Sequence, residues 1–218
     1  MPNRSFPVPI LLAALFLASA CTQSVSLKVD TEVPTPVVAR IPVSMGVYYE
    51  DALRNYVYEE DSEDRPDWRI ESGKSQVDLF EQVLPSMFQN VSHVNGIPVT
   101  GVEGHMDGVL VPKVDEMQFA LPTETKSELY EAWVKYTMRL YQPDGKLIAE
   151  WPVTGYGKSS EEFLKSKDDG LQAAIALALR DAGAKLAIGF DQVADVRAWL
   201  AATTKDCQKY ADQCGQKN

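Results

Sequence analysis

Hydrophobic and polar positions alternate with a period of two through much of the middle of this chain, and switch to steps of three and four in two places. Pro42–Glu50 opens the series: Val43, Met45, Val47 and Tyr49 alternate with Ser44, Gly46 and Tyr48, the pattern of a half-buried strand. Ala52–Glu59 holds a second extended piece, with Tyr56 and Tyr58 on one face and Val57 on the other, and Trp68–Ile70 a third. Val91–Val94 and Val99–Val102 flank a turn at Asn95-Gly96, and Asp107–Leu121 carries the most continuous strand signal, through Val109, Val111, Met117, Phe119 and Leu121. Pro112 inside it predicts a bulge or an edge position, because proline has no N–H for a sheet ladder. Trp133–Gln142 and Lys146–Gly155 form a hairpin around Pro143-Asp144-Gly145, where proline presets φ and glycine accepts a positive one. Its inward residues are Val134, Tyr136, Met138 and Leu140 on one strand and Leu147, Ala149, Trp151 and Val153 on the other, with Lys135, Thr137 and Arg139 outward.

The two helical stripes are equally distinct. Ser75, with Asp78 three residues on, is placed as a capping box, and Val77, Phe80, Leu84, Met87, Phe88 and Val91 follow at helical spacing. Pro85 lies within that stripe and predicts a kink or a stop near Leu84. Leu171–Ile188 is a helix of about 27 Å, apolar along Leu171, Ile175, Ala178, Leu179, Ala182 and Leu186, with Gly189 as its stop. Asp191–Leu200 continues as a shorter amphipathic helix. These elements predict an α+β fold: a mostly antiparallel sheet with two main helices on one face, in a single domain.

One stretch does not belong to that pattern. Pro7–Cys21 follows a short basic start, is apolar and uncharged in its middle, and ends in small residues before a cysteine, which is the order of a secretory signal. The apolar run Val8–Ala20 is too short for the roughly 20 residues of a membrane span. Ala18-Ser19-Ala20-Cys21 resembles the lipobox of bacterial lipoproteins, with Ala18 where leucine is commonest. That resemblance implies cleavage before Cys21 and acylation of its sulfur and new amine. Two or more chains anchor stably, at about 0.8 kcal/mol per buried methylene. Thr22 in place of aspartate at the next position implies the periplasmic face of the outer membrane, if the source is Gram-negative. The resulting division is 1–20 signal peptide, 21–41 tether, 42–200 folded domain and 201–218 polar tail. The prolines and small polar residues of 22–42 predict an extended tether long enough to stand the domain off the lipid.

Composition narrows the function. The formal net charge of −10 opposes binding to phosphate backbones, so nucleic acid is not an expected partner. Cys21, Cys207 and Cys214 are the three cysteines. With Cys21 acylated, Cys207 and Cys214 are a candidate disulfide, provided the chain turns between them. On an unbroken helix they would stand about 10.5 Å apart, beyond bonding reach.

Gly155-Tyr156-Gly157-Lys158-Ser159 lacks the earlier glycine of a phosphate-binding loop, since Pro152 occupies that position. His93 and His105 have no partners at metal-ligand spacing, and Glu59–Asp67, though dense in carboxylates, lacks the spacing of a calcium loop. No catalytic residue, metal or cofactor is expected. The order of elements over about residues 42–190 resembles small envelope lipoproteins with a TolB amino-terminal-like domain, a likeness of pattern only. The expected function is that of a non-enzymatic, lipid-anchored accessory or assembly factor of an envelope machine. Its partners are the membrane, through acylated Cys21, and an envelope protein; a homo-oligomer is compatible. The alternatives are a glycan- or lipid-binding sensor or carrier, with Tyr48, Tyr56, Tyr58 and Trp68 lining a site, and a hydrolase assembled from distant residues.

Overall fold

The computed structural model describes residues 24–29, 36–61, 65–100, 105–160 and 167–209. Among these the strands are β1 (Ser24–Lys28), β2 (Ile41–Val47), β3 (Val57–Glu60), β4 (Asp67–Glu71), β5 (Phe88–His93), β6 (Gly108–Ala120), β7 (Tyr130–Tyr141) and β8 (Leu147–Ser159). The helices are α1 (Asp51–Arg54), α2 (Gly73–Met87), α3 (Lys167–Gly189) and α4 (Ala194–Lys209). The larger sheet has the order β5-β2-β6-β7-β8, and a smaller one has the order β1-β4-β3.

The fold is α+β, as the periodicities predict, and most paired residues are antiparallel because β6, β7 and β8 form one long meander. The short strands depart from this: β2 runs parallel to both β5 and β6, and β1 parallel to β4. The β7–β8 hairpin stands where expected and runs longer. Gly145, at φ +96°, makes its turn, the Gln142 N–H donates to the Lys146 carbonyl at 2.8 Å, and the Asp144 carboxylate accepts from the Lys146 N–H at 3.0 Å. Leu147, expected inward, is 49 % exposed because it is the first residue after the turn, at the hairpin's tip and beyond the packed part of the strand.

Both prolines are tolerated for identifiable reasons. Pro112 sits mid-strand, but β2 pairs with β6 only as far as Leu110, so the missing N–H faces past the end of β2. The bulge falls three residues later, at Asp115, where the β6–β7 register shifts between Val114 and Glu116. Helix α2 runs three residues past Leu84, so Pro85 does not stop it there. It lies in the last turn on the exposed side, and the helix passes at Met87 directly into β5.

The core lies between the inner face of the larger sheet and α2 and α3. Phe80 of α2 meets Tyr136 edge-on at 5.4 Å, and Phe88 and Trp151 both pack on Phe190, at 5.0 and 5.8 Å. Helix α3 lies unusually close to β8. A Cβ on Gly155 would stand 2.0 Å from the Ala178 carbonyl oxygen, and one on Gly157 2.1 Å from that of Ala174, so glycine is required at both. The same approach seals the free edge of β8. Asp181 accepts from the Tyr156 N–H at 2.8 Å, Lys185 donates to the Thr154 carbonyl at 2.9 Å, and the two side chains pair at 2.7 Å. Pro152, in the same strand register, has no N–H to leave unpaired.

Two boundaries need correction. Residues 21–41 are assigned above to a tether, yet β1 pairs with β4 from Ser24↔Asp67 to Lys28↔Glu71. Val29 beyond it is buried, its N–H donates to the Glu71 carbonyl at 3.1 Å, and its own carbonyl accepts from the Ser75 hydroxyl. The physical reason is that Val25, Leu27 and Val29 are strand formers, and their backbone completes a sheet edge. At the other end, α4 continues past residue 200 to Lys209, into the stretch expected as tail.

Candidate functional site

The face of the larger sheet turned away from α2 and α3 carries the polar half of each alternating strand. On β7 these are Glu131, Trp133, Lys135, Thr137, Arg139 and Tyr141, and on β8 Glu150, Pro152, Thr154, Tyr156 and Lys158. Cross-strand register places Gln118, Trp133 and Tyr156 in one rung and Glu116, Lys135 and Thr154 in the next. The Trp133 and Tyr156 rings lie 5.2 Å apart and 36° from parallel, in the range of favourable aromatic pairing. Tyr156 is 36 % exposed. Burial of its phenol, then the charge of Glu131 and a hydrogen bond to it, push its pKa above the ordinary value. Beside the rings is a cleft of about 240 Å³ lined by Glu116, Gln118, Trp133, Lys135 and Thr154. A flat aromatic surface rimmed by an amide, a hydroxyl and both signs of charge is suited to a ligand with alternating apolar and hydrogen-bonding groups.

Further along the same face the charges are paired. The bulge turns Asp115 outward, where Lys113 contacts it at 3.1 Å and the Thr137 hydroxyl donates to it. Partial burial works to raise its pKa, but the bonds from Thr137 and Lys113 and the charges of Lys113 and Lys135 outweigh that and hold it low. Arg139 pairs with Glu150 at 2.7 Å. Beyond Arg139, toward the hairpin tip, a second cleft of about 370 Å³ is lined by Tyr48, Glu50, Gly96, Ile97, Val111, Arg139 and Tyr141. It borders a small apolar cluster, in which Val94, Val109 and Val111 are buried under the loop that follows β5. A third cleft, of about 410 Å³, lies at the β8 edge between Trp151–Thr154 and the end of α3.

No family model and no curated protein sequence matches this chain. Among solved structures it is similar to a Xanthomonas campestris protein assigned to the DUF330 family model, with a TM-score of 0.52 and 14 % identity. The match covers 84 % of this chain and 99 % of that one. The likeness shows the fold alone. Looser matches include a neuraminyllactose-binding hemagglutinin homologue from Helicobacter pylori, with a TM-score of 0.43 and 9 % identity over 82 % of this chain and 100 % of that one. A minor lipoprotein from Acinetobacter baumannii matches with a TM-score of 0.37 and 10 % identity over 76 % and 96 %.

The residues singled out in the sequence are dispersed. Cys21 and Cys214 lie outside the described residues. Cys207 falls within α4, and its side chain is also outside them. The four aromatics expected to line a ligand site do not share one. Trp68 is buried against Phe119 at 4.9 Å, Tyr58 meets the same ring at 5.6 Å, and Tyr56 packs on the core, whereas Tyr48 stands apart in the second cleft. Burial, then the hydrogen bond to Glu60 and its charge, push the Tyr58 phenol up to about 12. Gly155 and Gly157 serve helix packing in a strand rather than a loop, and Ser159 donates to the Gly170 carbonyl at 2.6 Å.

His105 binds Asp107 at 2.8 Å, and Asp107 in turn accepts from the Ser44 N–H at 2.7 Å. In this chain of contacts the carboxylate sits in the middle, so the imidazole does not bridge it to a hydroxyl as hydrolytic triads require. His93 pairs with Glu81 at 3.1 Å. Among the described residues no three His, Cys, Asp or Glu side chains converge to hold a metal. Trp133 and Tyr156 were the pair missed. The signal was available in the alternation, since Trp133 shares the parity of Lys135 and Arg139.

Proposed function

We propose that this chain is a lipid-anchored, non-enzymatic envelope protein that acts by contact. Acylated Cys21 holds it at the periplasmic face of the outer membrane, and the outer face of its larger sheet engages an envelope protein. The observation that carries this reading is Ala18-Ser19-Ala20-Cys21 at the end of a signal-like stretch, three residues ahead of the first strand of the domain. Metabolic labelling with an alkyne fatty acid, followed by mass measurement of the amino-terminal peptide, tests the anchor. Label lost on Cys21→Ser is the expected result, and label retained on that variant would remove the basis of the reading. Crosslinking in cells and recovery from solubilised membranes tests the partner. Repeated recovery with no envelope protein counts against it.

A second reading is favoured by the Trp133–Tyr156 pair and its cleft: the same anchored domain carries a glycan or lipid ligand there. Titration of tryptophan fluorescence with oligosaccharides and with short-chain phospholipids separates the two. A saturable change that disappears in Trp133→Ala supports the carrier reading, and no change supports docking alone.

A further inference from the structure

A lipid anchor constrains a domain only through the chain between them, and here that chain is short. Only Thr22 and Gln23 separate Cys21 from Ser24, the first residue of β1. At full extension this separation is about 10 Å, against the far longer reach of a tether running to residue 41. Strand β1 is fixed to the domain along its length by its pairing with β4, and at its far end Gln172 donates to the Lys28 carbonyl at 3.0 Å. The point of attachment is therefore a defined place on a folded surface.

That place lies at one end of the long meander. Ser24 is in register with Asp67, and Trp68 with Glu60 of β3. Trp68 packs on Phe119 near the end of β6, and Arg65 bridges Glu60 at 2.8 Å to Glu124 at 2.8 Å in the turn that follows. From Ala120↔Glu131 to Val109↔Tyr141 the paired strands run about 36 Å, and the β7–β8 tip lies beyond. We infer that the end formed by Ser24, Glu60–Asp61, Asp67 and Pro122–Glu124 rests at the phospholipid surface. The hairpin tip, with the cleft around Tyr48 and Tyr141, is then held away from it toward the partner. The inference rests on the anchor reading and adds an orientation to it. The lipid-facing end is rich in carboxylates, with Arg65 already paired to two of them, so it suits a zwitterionic surface better than an anionic one.

The test uses the full-length lipidated protein placed in phosphatidylethanolamine-rich vesicles containing an acceptor-labelled lipid. A donor fluorophore is introduced as an unnatural amino acid at Asp61 or at Asp144, leaving the native cysteines untouched. Energy transfer to the lipid severalfold greater from position 61 than from position 144 is the expected result. An insertion of about 20 Gly and Ser residues between Gln23 and Ser24 should then abolish the difference. Equal transfer from both positions, stronger transfer from 144, or a difference unaffected by the insertion would overturn the orientation while leaving the anchor intact. The mass of the amino-terminal peptide from the same preparation shows whether Cys21 is acylated. If it is not, the anchor reading fails and the orientation fails with it.

Discussion

On β7, Tyr130, Ala132, Val134, Tyr136, Met138 and Leu140 are all buried, while the alternating Glu131, Trp133, Lys135, Thr137, Arg139 and Tyr141 are half-buried or exposed. The same strand thus serves two surfaces of different physics. Inward side chains belong to one packed cluster that reaches α2, α3 and Phe190, so a change at any of them disturbs many neighbours. Outward side chains act in pairs and short ladders: Trp133 with Tyr156, Arg139 with Glu150, Asp115 with Lys113 and Thr137. Each can be altered with little effect beyond its partner. Stability is concentrated on one face, and the other is free to carry recognition.

The sharpest way to break this contrast is to remove an inner aromatic. Phe80→Ala empties the space between Tyr49 and Tyr136 and should cost about 3–5 kcal/mol in urea unfolding. Gly155→Ala should cost roughly 1–3 kcal/mol, because the added methyl meets the α3 backbone and the helix must lift. Trp133→Ala, although it deletes more atoms than Phe80→Ala, should cost less than about 1 kcal/mol and abolish ligand binding or crosslinking at the outer face. A loss as large as that of Phe80→Ala would show that the two faces are not distinct.

The smallest effect belongs to Asp115→Asn. The folded state holds the Asp115 pKa below its unfolded value, so its contribution is present above the unfolded pKa and disappears as pH falls through the folded one. At neutral pH the variant should be less stable by at most a few tenths of a kcal/mol, since the pairing is solvent-screened. The difference should vanish in strong acid, and unfolding curves at pH 7 and pH 2 check it.

What could be read in advance follows the same division. The β7–β8 hairpin and α3 were legible because each carries its own period and its own stop signal, Pro143-Asp144-Gly145 and Gly189. Helix α2 showed its period but not its ends, which lie at Ser72 and Met87 rather than at Ser75 and Leu84. The parallel pairings were not legible. Ser24–Lys28 looks like tether when read locally, and only β4, some forty residues away, makes it a strand. In Glu59–Asp67 the local sequence shows only dense carboxylates without calcium-loop spacing, yet Arg65 joins Glu60 and a glutamate from a distant turn into one ion-pair network. The aromatic pair was half visible: parity placed Trp133 outward, but the meeting with Tyr156 depends on the β7–β8 register.

Under the lipid anchor proposed above, the sealed edge of β8 has a consequence. An acylated protein is confined to two dimensions, where copies collide often and in nearly fixed orientation. An open strand edge there would let neighbours add to one another's sheets and grow into ribbons. With Asp181 on the Tyr156 N–H, Lys185 on the Thr154 carbonyl and a proline between Trp151 and Val153, that edge offers an approaching strand no continuous ladder. Crowding can then bring these domains side by side without pairing them through β8.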